Sequence, residues 1–380
     1  MVTDTSARLT ALVKVTYHSI GCDPKRWRFE TMTRLIRPGF VRVFSVLAVV
    51  AMIAAGCGGD DPSGSAEPAS ADAITLYTGR NTELVGPLIE QFTEETGIEV
   101  EVREGGSAEL AAQLLTEGDA SPADVFLSQD AGALGAMSKA DLLMELPDEV
   151  LDRVPEAFRS PEGTWVGTSG RARVFVVNPE LVDDPPTSID DLLDPTYQSQ
   201  LGFAPSNASF QAFVTGLRLL RGDDGAREWL KAFAAQDPVP FENNVAVRDA
   251  VDRGEVAVGL VNHYYLYELI AEVGEDEVTA ENQFVSGGDP GGLVNVAGVG
   301  ILKSSEHQEN ALAFVEYLVG PSGQRYFAEE TFEYPLAADV EAADGLPPLE
   351  TLDPPQIDLS NLDSLEATQE LLAETGLLTR

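Results

Sequence analysis

The sequence predicts an α/β protein of two lobes with a cleft between them. Three observations carry this. Short β-branched runs alternate with segments whose apolar residues recur at helical spacing. That alternation restarts beyond residue 178. Two long apolar runs, near 171–177 and 293–300, are placed to cross between the halves. At 380 residues the chain has room for two domains.

The elements follow in order. Residues 74–77 (ITLY) read as a first strand. Asn81 or Thr82 then caps a helix with Leu84, Val85, Leu88, Ile89 and Phe92 on one face and Gly97 at its end. Residues 98–102 alternate as a strand. Ser107 caps a helix holding Leu110, Leu114 and Leu115, closed by Gly118, and 124–127 form another strand. This βαβαβ rhythm predicts mixed, mostly parallel sheets with right-handed crossovers. Residues 173–177 make a strand ahead of Asn178-Pro179. Asn207 precedes a helix with Phe210, Phe213, Val214, Leu217 and Leu220, ended by Gly222, and Asn244 precedes another with Val245, Val247 and Val251. A buried strand at 256–261 leads into a helix with Leu266, Tyr267, Leu269 and Ile270, ending near Gly274. Residues 293–302 form a long strand, and two helices follow, one lined by Leu312, Phe314, Val315 and Leu318, the other opened by Pro321.

The N-terminal part lies outside this pattern. Residues 43–56 are an apolar run too short to span a bilayer comfortably, preceded by Arg34, Arg37 and Arg42 and ended by Ala54-Ala55-Gly56-Cys57. That is a secretory-signal layout. It resembles a bacterial lipoprotein box, with Ala54 where Leu is usual, and implies cleavage before a lipidated Cys57. We therefore expect an upstream extension at 1–31 (Met32 being a second candidate start), a signal peptide at 32–56, and a flexible tether at 57–72, whose composition is small, polar and Pro/Gly-bearing.

Composition excludes several functions. With 24 Lys+Arg against 63 Asp+Glu the net charge is −39, which argues against nucleic acid as a partner. Eight of those basic and three of those acidic residues lie in 1–56, so the rest is more acidic still. A cation suits this charge, and so does a saline habitat, where counterions screen self-repulsion. Beyond Cys57 there is no cysteine, and only His263 and His307 remain, so a thiol catalyst, an internal disulfide and a multi-histidine metal site are excluded. No Ser/His/Asp constellation, phosphate loop or cofactor motif stands out, and the chain reads as a non-enzyme.

The candidate functional residues cluster at strand ends, where ligands of open α/β sheets bind. Tyr264 and Tyr265 stand at a strand-to-helix junction. Two phenol oxygens there can serve a hard cation, although from spacing alone amphipathic packing is the stronger reading. Asn207, Ser209, Asn244 and Asn262 sit at helix starts, where free N–H groups hold anions or where Asn simply caps. Arg171 and Arg173 can neutralise an anion or bridge the lobes. Arg80 and Asn81 occupy the loop after the first strand.

From 74 to about 376 the chain resembles the ferric-ion-binding proteins of bacterial ABC transporters, a type II periplasmic-binding-protein family. The resemblance rests on LYTGRNTELV (76–85), SPADVFLSQDAGAL (121–134), VGTSGRARVFVVNP (166–179), APSNASFQAF (204–213), NNVAVRDAV (243–251), VNHYYL (261–266), DPGGLVNVAGVGIL (289–302) and EYPL (333–336). It implies the two-lobed type II fold with a two-strand hinge: one lobe from 73–171 and 295–345, the other from 172–294 and 346–380. It implies that Tyr264 and Tyr265 bind iron(III) as transported ligand. A synergistic phosphate or carbonate would be held by Asn207, Ala208, Ser209, Asn244 and Asn262, with Arg171 and Arg173. Family members carry His at the position of Asn81 and Glu at that of Gln129, and some add a Tyr near Ser209. Those changes leave anion, water, Asp130 or Glu83 to complete the coordination, with Arg80, Asn81 and Gln129 as further cleft contacts. The implied protein is a monomeric, extracytoplasmic lipoprotein, held to the cell membrane by its N-terminal lipid, that serves an ABC permease and its ATPase. The rival within this fold is a carrier of another small ligand, such as a phosphonate, a thiamine-like molecule or an organic cation.

Overall fold

The computed structural model describes residues 73–378. The expected extension, signal peptide, lipidated Cys57 and tether lie outside the described residues. Among those described, no helix is long and apolar enough to cross a membrane.

The first lobe begins with β1 (Ile74–Thr78), α1 (Thr82–Thr96), β2 (Val100–Glu104), α2 (Ser107–Glu117), β3 (Val125–Ser128), α3 (Ala131–Lys139) and the short α4 (Asp148–Leu151). Parallel pairing joins β1 to both β2 and β3. β4 (Val166–Val177) then leaves this lobe for the second: β5 (Leu201–Phe203), α5 (Ala208–Ala235), β6 (Val239–Pro240), α6 (Asn244–Asp252), β7 (Val258–Asn262), α7 (Tyr264–Val273) and β8 (Glu281–Phe284). There β5 pairs parallel with β6 and β7. β9 (Val294–Ile301) returns to the first lobe and is followed by α8 (Gln308–Leu318) and α9 (Pro321–Glu329). Parallel pairing thus holds within each lobe, while the connecting strands run antiparallel.

β4 is the spine. Its first half pairs with β9 as far as Ala172 opposite Val294, and its second half pairs with β7 from Arg173 opposite Asn262. The crossing therefore falls between Ala172 and Arg173. Each lobe has its own apolar core: Phe92, Phe126, Trp165 and Phe314 in the first, Phe203, Phe210, Trp229 and Phe233 in the second.

The C-terminal residues divide differently from the expected assignment of 346–380 to the second lobe. Leu352, Leu359 and Leu362 join the first-lobe core, and only Leu371, Leu372 and Leu377 join the second. The 3-10 turn Leu359–Asp363 lies on α3 so closely that a Cβ on Gly135 would stand 2.1 Å from the Ser360 carbonyl oxygen. One residue later α10 (Leu365–Glu374) packs on α5, where Thr215 and Thr368 hydroxyls meet at 2.7 Å and Arg218 donates to the Ser364 carbonyl. The chain thus crosses a third time, at 363–365, besides the two strands.

Two helix starts and one helix end differ from expectation. The cap of α6 is Asn243, whose Oδ1 accepts from Ala246 N–H, so Asn244 is the first helical residue and is fully buried. The cap of α2 is Gly106, and the Ser107 hydroxyl instead accepts from Gln129 N–H. Gly222 does interrupt its helix, at φ 71°, a conformation that glycine reaches without strain, but helix resumes at once and runs to Ala235.

Candidate functional site

β7 ends at Asn262, and the chain turns straight into α7, which sets Tyr264 and Tyr265 on the first helical turn with ring centroids 4.3 Å apart. Tyr264 is 8% exposed and Tyr265 is half-buried. Burial pushes the Tyr264 phenol well above the usual range, and the adjacent Tyr265 adds to this, while the Arg171 guanidinium acts in the opposite sense.

Arg173 lies beside both phenols. Burial lowers its pKa to about 10, against the opposing fields of Tyr265 and Tyr264. Its guanidinium stands 5.3 Å over the Phe213 ring, and Nη1 donates weakly to the Ser209 hydroxyl at 3.4 Å. Its Nη2 is buried without a partner.

Ser209 opens α5. Asn207 caps that helix by accepting from Ser209 N–H at 2.9 Å, and it also accepts from the Ser209 hydroxyl. The Asn244 amide donates to Ser209 Oγ (2.9 Å) and Asn207 Oδ1 (3.2 Å), leaving its own Oδ1 buried and unpartnered. The starts of α5 and α6 therefore converge on one small polar chamber that also contains Arg173. Asn262 is buried opposite Arg173 in the β4–β7 ladder. Unsatisfied buried donors and acceptors of this kind are costly unless a ligand meets them.

The other expected contacts fall elsewhere. Asn81 is exposed and spends its side chain capping α1 through Glu83 N–H. Asp130 caps α3 through Ala133 N–H. Arg80 is buried in an ion pair with Glu333 at 3.0 Å. Arg171 donates to the Gln129 carbonyl. Gln129, Asp130 and Ala208 line a cavity of about 450 Å³ between α2, α3 and α5.

Sequence reasoning missed two carboxylates. Glu333 is buried on the first lobe, paired with Arg80 and accepting from the Ser169 hydroxyl, and its field reaches Tyr264. Glu268 stands one turn beyond Tyr264 on α7. Burial raises its pKa to about 7, moderated by Arg248. The i, i+4 spacing from Tyr264 was a usable signal for Glu268. Glu333 comes from a distant loop and had none beyond its place in the EYPL stretch.

A pattern unites these groups. The buried arginines among the described residues are Arg80, Arg171, Arg173 and Arg248; Arg171 and Arg173 act on the phenols directly, while the fields of Arg248 and Arg80 reach Glu268 one turn on. Arg248 donates to the Tyr265 carbonyl at 2.7 Å. In a chain of net charge −39, the interior behind the phenols is cationic. No group of three or more His, Cys, Asp or Glu among the described residues is placed to hold a metal.

Residues 120–360 match the bacterial extracellular solute-binding protein family. The chain is 37% identical over 317 residues to the Fe(3+)-binding periplasmic protein of Serratia marcescens, covering 82% of this chain and 93% of that one. It is 34% identical over 320 residues to the major ferric iron-binding protein of Neisseria meningitidis serogroup B, with 82% and 95% covered. The solved structure of iron-bound HitA from Pseudomonas aeruginosa superposes with a TM-score of 0.74 at 34% identity, over 80% of this chain and 99% of that one. The Trichodesmium protein IdiA (FutA), solved with iron and citrate, gives 0.71 at 31% identity, over 80% and 99%.

Proposed function

The chain belongs to the bacterial extracellular solute-binding proteins, and on that premise we propose that it captures iron(III) through Tyr264 and Tyr265 for import. The observation that supports this most is the pair of neighbouring phenols backed by buried arginines. Iron(III) is a hard cation and phenolate a hard anionic oxygen. Binding must displace two phenolic protons, so affinity falls as pH falls. Burial alone opposes ionisation of Tyr264; the guanidiniums of Arg171 and Arg173 favour it.

Charge counting argues for an accompanying anion. Two phenolates leave one positive charge on the iron. Arg80 is offset by Glu333 and Arg248 by Asp249, whereas Arg171 and Arg173 make no ion pair among the described residues. A doubly charged oxyanion such as phosphate or carbonate would cut this excess of three positive charges to one. The unpartnered Arg173 Nη2 and the backbone at Asn207 and Ala208 would supply its donors, and the Asn244 amide and Ser209 hydroxyl would join them by giving up their present bonds to one another and to Asn207. Arg171 and Asn262 border the same space. Closing the lobes would bring Gln129 and Asp130 toward the bound ion, so the ligand would favour the closed state. Delivery would then pass to an ABC permease and its ATPase, with Cys57 lipidated and holding the protein at the outer face of the cell membrane.

Titration with ferric citrate, with and without phosphate, tests the reading. A visible tyrosinate-to-iron band should develop. Tyr264→Phe and Tyr265→Phe should each weaken binding at least a hundredfold with the fold intact. Unchanged affinity in both variants would refute the assignment and favour a carrier of some other small ligand.

A further inference from the structure

His263 sits where the lobes meet, immediately before the tyrosines, and nothing in the iron chemistry uses it. It is fully buried. Its backbone N–H donates to the Ala172 carbonyl at 3.0 Å, extending the β4–β7 ladder by one residue. Its ring Nδ1 accepts from Ala172 N–H at 3.2 Å, and Nε2 lies 2.9 Å from the Phe332 carbonyl. Both ring bonds are made together only by the neutral imidazole with its proton on Nε2. Ala172 is the last residue of β4 paired to the first lobe. Phe332 belongs to the first lobe too, since Gly170 and Tyr334 next to it exchange backbone hydrogen bonds at 2.8 and 2.9 Å.

Phe332 has φ 54°, a left-handed conformation unfavourable for a bulky residue. A conformation of that kind persists where its surroundings over-determine it. Here the surroundings are the His263 bond on one side and, one residue on, the Glu333 pairing with Arg80 and Ser169. The imidazole also lies 4.8 Å from the Tyr334 ring and 5.8 Å from the Tyr264 ring.

We infer that His263 is a positioning residue that stiffens the hinge, clasping the crossing strand and the Phe332 loop so that Tyr264 and Tyr265 keep one orientation toward the first lobe. Hinge residues must absorb φ/ψ change when a cleft opens. A crossing whose C=O is tied to the backbone of one residue, and whose N–H and neighbouring loop are tied to that residue's side chain, cannot absorb it freely. Opening is thereby restricted, and the Glu333–Arg80 pair stays in register behind the phenols. The consequence for iron rests on the function proposed above, whereas the hinge claim does not.

The test uses iron-free full-length chain with Cys22 and Cys57 changed to Ser and spin labels at Glu94→Cys and Glu228→Cys, exposed positions on opposite lobes. Pulsed electron paramagnetic resonance reads the spread of lobe separations in His263→Gln, His263→Asn and His263→Leu. The glutamine amide nitrogen reaches the place of Nε2; that of asparagine reaches only the place of Nδ1. The Leu and Asn variants should show a widened distribution and the Gln variant a native one. With iron loaded, Leu and Asn should lose it to a chelator about tenfold faster with the visible band unmoved. Native distributions in all three variants would overturn the inference. So would equal widening in all three, because ring packing rather than the Phe332 bond would then matter. If the Leu variant does not fold, the Gln and Asn pair decides alone. A missing band in the otherwise native protein would strike the iron reading and leave the hinge result standing.

Discussion

Arg173→Met should make the iron-free protein more stable while making it a worse binder. The guanidinium is 4% exposed and has no carboxylate partner among the described residues. Its fall to about 10 corresponds to about 3 kcal/mol against the charged form. Arginine is charged in both folded and unfolded chains at pH 7, so the full penalty is present there and fades only as pH rises through about 10. Methionine fills a similar volume without charge. The substitution forfeits the contact over Phe213, worth about 1–2 kcal/mol when desolvated. It also forfeits a long hydrogen bond to Ser209 worth about 0.5 kcal/mol. The balance is a gain of about 1 kcal/mol, or about 1.5 °C in Tm for a body of about 300 residues. Thermal unfolding of iron-free protein measures it. In parallel, ferric titration with phosphate should show binding weakened at least tenfold, because an unpaired cation facing the phenols is lost. A Met variant that is less stable and binds iron normally would show that Arg173 is a structural brace and that the cationic interior has no part in binding.

Two further outcomes follow from the same geometry. Glu268 holds a proton in the folded chain up to about pH 7 but loses it near 4.5 when unfolded, so folded protein binds more protons between those values and stability falls as pH rises across them. Glu268→Gln should flatten that decline in denaturant midpoints measured from pH 4.5 to 8, and an unchanged slope would show that the burial of Glu268 does not perturb it. Gly135→Ala should destabilise by about 1–3 kcal/mol despite the better helix propensity of alanine, since the new Cβ meets the Ser360 carbonyl and must push the C-terminal crossing off α3. A variant as stable as the parent would show that this crossing yields easily.

Much of the architecture was legible because the signals are local. Period and punctuation located the helix around Val85, Leu88 and Phe92 and its stop at Gly97, which adopts φ 77°. The same signals misplaced the cap of α6 by one residue, because Asn243 and Asn244 are chemically identical candidates and only burial separates them. Residues 346–380 were expected in one lobe because nothing local reveals that Leu362 meets α3 while Leu371 meets the second core. Asn81 and Asp130 illustrate a different limit. As strand-end polar residues they were equally good ligands or caps, and the backbone N–H groups of Glu83 and Ala133 claim them.

The tyrosines were legible and the groups that support them were not, and the difference is one of sequence distance. Tyr264 and Tyr265 announce themselves as a dipeptide after an apolar run. Glu333 reaches Arg80 across 253 positions, and the Phe332 carbonyl reaches His263 across 69. Ionising a buried phenol depends on such distant charges, because desolvation acts on Tyr264 whatever its neighbours in sequence. The net charge of −39 pointed toward a cation but says little about the site itself. Exposed carboxylates act through water and are screened beyond about 8–10 Å at ordinary salt. Arg171 and Arg173 act through the low-dielectric interior, where screening is weak. At the phenols a few buried guanidiniums therefore oppose the sign of the whole molecule, and only the folded arrangement brings them to one place.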